Sequence, residues 1–138
     1  MKNILVFSLL LISVGVNKIQ AQNNNSDAVI KATSVGIVIY SNDSETVWNA
    51  LRLANYSKNE GDTVCVFLLG KGVEVEKLVN ENDDIKEQVN KLLDKGGVIL
   101  GCGTCLQSRN NNEPQVCKFS SMQDLYELIR KSKVVVTF

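Results

Sequence analysis

Short apolar runs separated by amphipathic segments constrain the fold of this chain more than any other feature. The runs read SVGIVIY, TVCVFLL, VIL and KVVVTF, at residues 34–40, 63–69, 98–100 and 133–138. The first two are continuous and rich in β-branched residues, which is typical of strands buried on both faces of a parallel sheet. A further extended piece is predicted at residues 115–119. The chain therefore offers five candidate strands.

Between these runs, apolar residues recur at the spacing of amphipathic helices. The residues on the predicted apolar faces are Val47, Ala50, Leu51 and Ala54, then Val75, Leu78 and Val79, then Ile85, Val89, Leu92 and Leu93, and finally Met122, Leu125, Tyr126 and Ile129. Asn42 with Glu45, and Ser121 with Asp124, predict capping boxes at the first and last helix. Strands alternating with such helices form βαβ units. We predict a single α/β domain with a mostly parallel sheet and helices on both faces.

The N-terminal residues have the anatomy of a secretory signal peptide. Lys2 gives a positive start, residues 4–16 form an apolar core, and Ala21 is a small residue before a predicted cut. The core is too short for a membrane anchor, which needs ~20 apolar residues. We predict a signal peptide at 1–21, a polar linker at 22–32 and the α/β domain at 33–138. The mature protein is then periplasmic or secreted, with no membrane attachment.

Charge and composition exclude several classes of function. Removing Lys2 and Lys18 with the signal peptide leaves 13 basic and 15 acidic residues, a net charge of −2. A near-neutral chain without a basic stripe argues against nucleic acid or an anionic membrane surface as partner. The chain contains no histidine, which excludes most hydrolytic triads and imidazole metal sites. Cysteine sulfur is therefore the expected reacting atom in any covalent chemistry of this protein.

Cys102 and Cys105 form a CxxC motif directly after the third predicted strand. Ligands and chemistry in parallel α/β sheets collect beyond the carboxyl ends of the strands, so we interpret this pair as functional rather than as two small core residues. Gly103 and Thr104 lie between the thiols, and together with Arg109 they are predicted to bind the substrate. A helix beginning here, with Arg109 nearby, is expected to lower the thiol pKa.

The other two cysteines are interpreted as core residues. Cys65 lies in the middle of a strand, and Cys117 lies on the extended piece, where a third active thiol is the alternative. Zinc usually takes two close pairs of ligands, and a single CxxC does not supply them, so we expect no metal and no other cofactor. Gly70 to Gly72 read as a turn that lets the chain pass close to a neighbour, because a lone GxG is a weak nucleotide signal.

A thioredoxin fold is disfavoured by the position of the motif. That fold places CxxC after an early strand and faces it with a cis-proline. Here the motif comes late, and the lone proline, Pro114, lies in a polar loop.

Four segments carry a resemblance to a known family: GKGV, ILGCGTCLQSR, SSMQDLYELI and VVVTF, at residues 70–73, 99–109, 120–129 and 134–138. Over residues 34–138 the chain resembles the DsrE/DsrF-like family of sulfur-relay proteins. The resemblance implies a five-stranded parallel α/β fold and assembly as a homotrimer or homohexamer. It also implies that Cys102, which precedes Arg109 as the family's persulfide cysteine precedes an arginine, accepts sulfane sulfur. Cys105 is then the natural resolving thiol.

The predicted function is an exported sulfur-relay protein, acting as a sulfur carrier or a sulfurtransferase. Its partners are sulfur-donor and acceptor thiols, either small molecules or proteins. The signal peptide separates it from the cytoplasmic partners of the family. Two alternatives stay open at this point: a thiol–disulfide oxidoreductase, and a non-catalytic oligomeric binding module with a structural Cys102–Cys105 disulfide.

Overall fold

The computed structural model describes residues 31–138. The signal peptide predicted at 1–21 and most of the linker predicted at 22–32 lie outside these residues. The strands are β1 (Ser34–Ile39), β2 (Thr63–Leu68), β3 (Val98–Cys102), β4 (Lys118–Ser120) and β5 (Val134–Thr137). The helices are α1 (Ser44–Asn59), α2 (Val75–Glu81), α3 (Asp83–Asp94), α4 (Gly103–Gln107) and α5 (Met122–Lys131), with a 3-10 turn at Gly70–Glu74. Within the described part of the chain, no helix is long and apolar enough to cross a membrane.

All five strands are parallel, in the order β4-β3-β2-β1-β5. The predicted α/β domain is therefore confirmed. From β1 to β4 the chain steps across the sheet in one direction, and from β4 to β5 it steps back. Because such crossovers are right-handed, α1 to α4 lie on one face of the sheet and α5 lies alone on the other.

The core lies between the sheet and the helices α1 and α3. Its fully buried side chains include Ile37, Ile39, Val66, Leu68, Leu51, Ile85 and Leu92. Burial of each aliphatic side chain of this kind contributes roughly 1.5–3 kcal/mol. Leu93, predicted on the same apolar face of α3, is 39% exposed instead, because it lies at the edge of the face that α3 turns towards α1.

The opposite face of the sheet is thinly covered. Helix α5 packs closely on β1 at Gly36, where an added Cβ would lie 2.5 Å from a Leu128 methyl carbon. Leu128 is the buried residue of this helix. Met122, Tyr126 and Ile129 are 58%, 63% and 49% exposed. The predicted helix is confirmed, but most of its apolar residues face away from the core.

Side-chain caps fix the helix ends, and one of them was predicted wrongly. Asp43, not Asn42, caps α1, because its carboxylate accepts bonds from both the backbone N–H and the hydroxyl of Thr46, each at 2.8 Å. At α5 the predicted capping box is confirmed: the Ser121 N–H donates to Asp124 at 2.7 Å, and the Asp124 N–H donates back to the Ser121 hydroxyl.

Candidate functional site

The site forms where β2 and β3 end side by side. Leu68 pairs with Gly101 in the ladder, so the 3-10 turn after β2 and the helix α4 after β3 start at the same edge of the sheet. The turn also packs tightly on the end of β1, since a Cβ at Gly72 would lie 1.9 Å from the Ile39 carbonyl oxygen. The predicted close passage of the GKG turn is confirmed, and its neighbour is the backbone of β1.

Cys105 lies against this turn. Its Sγ accepts a hydrogen bond from the Gly70 backbone N–H at 3.3 Å, and the residue is half-buried. The bond joins two motifs that lie 35 residues apart in sequence. A backbone N–H donor directed at sulfur stabilises negative charge on that atom. The turn therefore belongs to the thiol site.

Cys102 is the last residue of β3 and is only 4% exposed. Burial is the largest cause that raises the pKa of Cys102, and the neighbouring Cys105 thiol raises it further. The backbone N–H groups of Cys105 and Thr104 act in the opposite direction. The expected lowering of the thiol pKa is thus wrong for Cys102, because the cost of burying a thiolate outweighs the donors around it.

Arg109 holds the backbone of the motif in place. Its Nη1 donates to the Cys105 carbonyl oxygen at 3.1 Å, and its Nε donates to Glu74 Oε1 at 2.9 Å. Asn42 donates to the other Glu74 oxygen at 2.8 Å. The hydrogen bond from Asn42, and to a smaller extent the one from Arg109, lowers the pKa of Glu74. Arg109 therefore connects the turn after β2 to α4, and its guanidinium is already engaged.

The two residues between the thiols have different surroundings. Gly103 is buried beneath the Phe119 ring, where an added Cβ would lie 2.2 Å from Cε1. Thr104 is exposed beside the pair. Gly103 thus has a packing reason to be glycine, and the substrate-binding role predicted for Gly103, Thr104 and Arg109 stays a prediction.

Cys117 is buried, as the core interpretation predicted, with 7% of its surface exposed. Burial and a hydrogen bond with Glu76 raise the pKa of Cys117 to about 12. The Glu76 carboxylate also accepts the backbone N–H groups of Gln115, Val116 and Cys117, at 2.8–3.0 Å. Sequence reasoning missed this anchor, because no local pattern pairs a helical glutamate with a loop about 40 residues away.

Cys65 is half-buried and packs against the core from the α5 side of the sheet. Burial, together with the charge of Asp124, raises the pKa of Cys65. All four cysteines are free thiols. Among the described residues, no group of three or more histidine, cysteine, aspartate or glutamate side chains is arranged to hold a metal ion.

Fold and site together define a parallel α/β thiol protein with two free cysteines, Cys102 and Cys105, at the carboxyl edge of its sheet. The profile of the DsrE/DsrF-like family matches residues 33–138. The chain belongs to that family, which associates it with sulfur relay at the family level.

Relatives and solved structures agree with this assignment. The chain is 32% identical to an uncharacterized protein of Methanocaldococcus jannaschii over 100 residues, which cover 68% of this chain and 88% of the relative. An uncharacterized protein of Methanopyrus kandleri is 27% identical over 100 residues, covering 68% and 83%. The crystal structure of the YchN protein from E. coli shares the fold, with a TM-score of 0.66, 19% identity and coverage of 78% and 100%. A conserved protein of unknown function from Bacteroides thetaiotaomicron gives a TM-score of 0.64, 20% identity and coverage of 77% and 95%.

Proposed function

We propose that this protein is an exported sulfur-relay protein that carries sulfane sulfur as a persulfide on the Cys102–Cys105 pair. The observation that carries the proposal is the placement of two free thiols at the carboxyl edge of the sheet, one ending β3 and one in α4, with a backbone N–H directed at Cys105. Membership of a sulfur-relay family supports it.

The chemistry proceeds by thiolate attack on a sulfane donor such as polysulfide or another protein's persulfide. One thiolate of the pair forms a new S–S bond to the transferred sulfur, and the donor leaves with the electron pair of its broken S–S bond. An acceptor thiolate then takes the outer sulfur and restores the thiol. The rate follows the thiolate fraction, nucleophilicity and access of the attacking cysteine.

Intact mass spectrometry tests the proposal. The reduced mature protein is exposed to polysulfide beside a Cys102→Ser/Cys105→Ser double variant and a matched Cys65→Ser control, which removes a thiol outside the site. The expected result is a gain of one or more sulfur atoms in wild type and in the control, and none in the double variant. Wild type that gains no sulfur, while the single variants Cys102→Ser and Cys105→Ser also gain none, contradicts the relay function.

The same placement of two free thiols three residues apart favours one rival, a thiol–disulfide oxidoreductase. Such an enzyme turns over disulfide substrates with a reductant and holds no stable persulfide. A binding module with a structural Cys102–Cys105 bridge differs again, since its disulfide resists mild reductant.

We propose a second copy of this chain as a partner, in a homotrimer or homohexamer. Apolar side chains are exposed on α5, on Phe119 of β4 and on Val134 and Val135 of β5, and these two strands are the opposite edges of the sheet. Contacts with other copies on more than one side would remove this apolar surface from water. Light scattering of the purified protein tests this proposal, and a monomeric mass contradicts it.

Export to the periplasm or medium is also proposed, on the anatomy of residues 1–21. Cell fractionation with N-terminal sequencing tests it. A mature protein that begins at residue 22 supports export, and a cytoplasmic protein that retains Met1 contradicts it.

A further inference from the structure

The two thiols of the pair differ in access. Cys102 ends a strand in the interior of the sheet, between β2 and β4, and its residue surface is 4% exposed. Cys105 lies in the single short helix that follows and retains more exposed surface. A sulfane donor must bring its outer sulfur into bonding distance of the attacking sulfur. Cys105 offers a donor that access, and Cys102 does not.

The donors directed at the two thiols come from different parts of the fold. The backbone N–H groups of Cys105 and Thr104, in the helix that directly follows Cys102, act to lower the pKa of Cys102, but burial outweighs them. The Gly70 N–H reaches Cys105 Sγ from the turn after β2, and this turn is fixed by its packing on Ile39. Because turn and thiol belong to different elements, the fold itself holds the donor in place. A persulfide on Cys105 needs the same kind of donor, since its outer sulfur also carries negative charge.

From this geometry, and resting on the proposed function, we propose that Cys105 accepts the incoming sulfur, that the Gly70 N–H supports it, and that Cys102 is the resolving thiol. This reverses the order that the family resemblance implied. Cys102 is well suited to resolution, because it directly precedes the helix α4 that carries Cys105 and its burial keeps it from reacting with the donor itself.

The steps balance as follows. The Cys105 thiolate attacks the outer sulfur of a hydropersulfide R–S–SH, giving Cys105–S–SH and releasing the thiolate R–S⁻. If no acceptor thiol takes the outer sulfur, Cys102 attacks Cys105 Sγ. A Cys102–Cys105 bond forms, the bond to the outer sulfur breaks, and hydrogen sulfide leaves with the Cys102 proton. The sulfane sulfur is reduced by two electrons, which the two thiols supply.

Limiting alkylation of the reduced wild-type protein with iodoacetamide, followed by peptide mapping, tests the assignment without any substitution. We expect Cys105 to be labelled at least tenfold faster than Cys102. Equal labelling, or faster labelling of Cys102, overturns the assignment.

Persulfide loading of the single variants supplies the second test. Cys102→Ser is expected to gain one sulfur atom from polysulfide and to keep it longer than wild type, while Cys105→Ser loads at least tenfold more slowly. Circular dichroism spectra matching wild type establish that both variants fold. Loading by Cys105→Ser alone overturns the assignment but leaves the relay function standing. Absence of loading in wild type and in both variants overturns the relay function itself, whatever the order of alkylation.

Discussion

Removing the Glu76 carboxylate is expected to loosen the segment that leads into β4. Glu76 is half-buried, and its two oxygens accept three backbone N–H groups from Gln115, Val116 and Cys117. A hydrogen bond to a charged group contributes about 1.5–3 kcal/mol when buried. The lower end for three such bonds is about 4.5 kcal/mol, and because the bonds are partly exposed we expect Glu76→Ala to lose less than this sum, about 2–4 kcal/mol of unfolding free energy.

Glu76→Gln refines the prediction. Oε1 accepts the bonds from Val116 and Cys117, and Oε2 accepts the bond from Gln115. A glutamine can keep its oxygen at the first position, but its amide N–H₂ then meets the Gln115 N–H, donor against donor. We expect a loss of about 1–2 kcal/mol, between wild type and Glu76→Ala.

Urea unfolding monitored by circular dichroism measures these losses. Glu81→Gln is the matched control, because Glu81 lies on the same helix and makes only an exposed pair with Lys77 at 3.5 Å. Exposed pairs of this kind contribute about 0.3–0.5 kcal/mol. If Glu76→Ala loses no more stability than Glu81→Gln, the Glu76 anchor is refuted.

Three further predictions concern the site and the surface. Arg109→Gln is expected to lower the unfolding free energy in urea by less than about 1 kcal/mol, because the ion pair with Glu74 is a third exposed. The same substitution is expected to slow persulfide loading severalfold, because the Cys105 carbonyl loses its donor. Unchanged loading contradicts this role of Arg109. Tyr126→Lys places charge on the exposed face of α5 and is expected to reduce the mass seen by light scattering to that of the monomer, whereas an unchanged mass contradicts the proposed interface. Burial and Glu76 raise the pKa of Cys117 to about 12, above the ordinary thiol value of 9.0. Its protonated form therefore stabilises the fold fully below pH 9, and this contribution is lost as pH rises towards 12. Urea unfolding between pH 9 and 12 is therefore expected to show a steeper fall in wild type than in Cys117→Ala, and parallel curves contradict it.

The sheet and helices were predictable because their signals are local. Continuous β-branched runs identified β1 and β2, and Ser121 with Asp124 placed the start of α5 correctly. At α1 the same reasoning failed by one residue, since Asn42 and Asp43 are both good caps. Thr46 decides between them by giving Asp43 two bonds, and Asn42 instead binds Glu74.

The features that the sequence did not predict depend on contacts between distant segments of the chain. The extended piece predicted at 115–119 pairs in the sheet only at Lys118–Ser120, because Glu76 takes the N–H groups of residues 115–117. The sequence placed Cys102 and Cys105 at a strand end, but not their difference in burial. That difference comes from the central position of β3, and the Gly70 donor comes from the neighbouring strand. Neither is visible in the spacing of a CxxC motif.

The central claim is that the thiol pair carries sulfane sulfur, and cyanide-labile sulfur tests it most directly. Reduced protein is loaded with polysulfide, freed of small molecules and treated with cyanide, which removes persulfide sulfur as thiocyanate. We predict stoichiometric thiocyanate from Cys102→Ser, which keeps the accepting thiol and lacks the resolving one, a smaller yield from wild type and from Cys65→Ser, and none from the Cys102→Ser/Cys105→Ser double variant. If neither Cys102→Ser nor wild type yields more thiocyanate than the double variant, the account is contradicted.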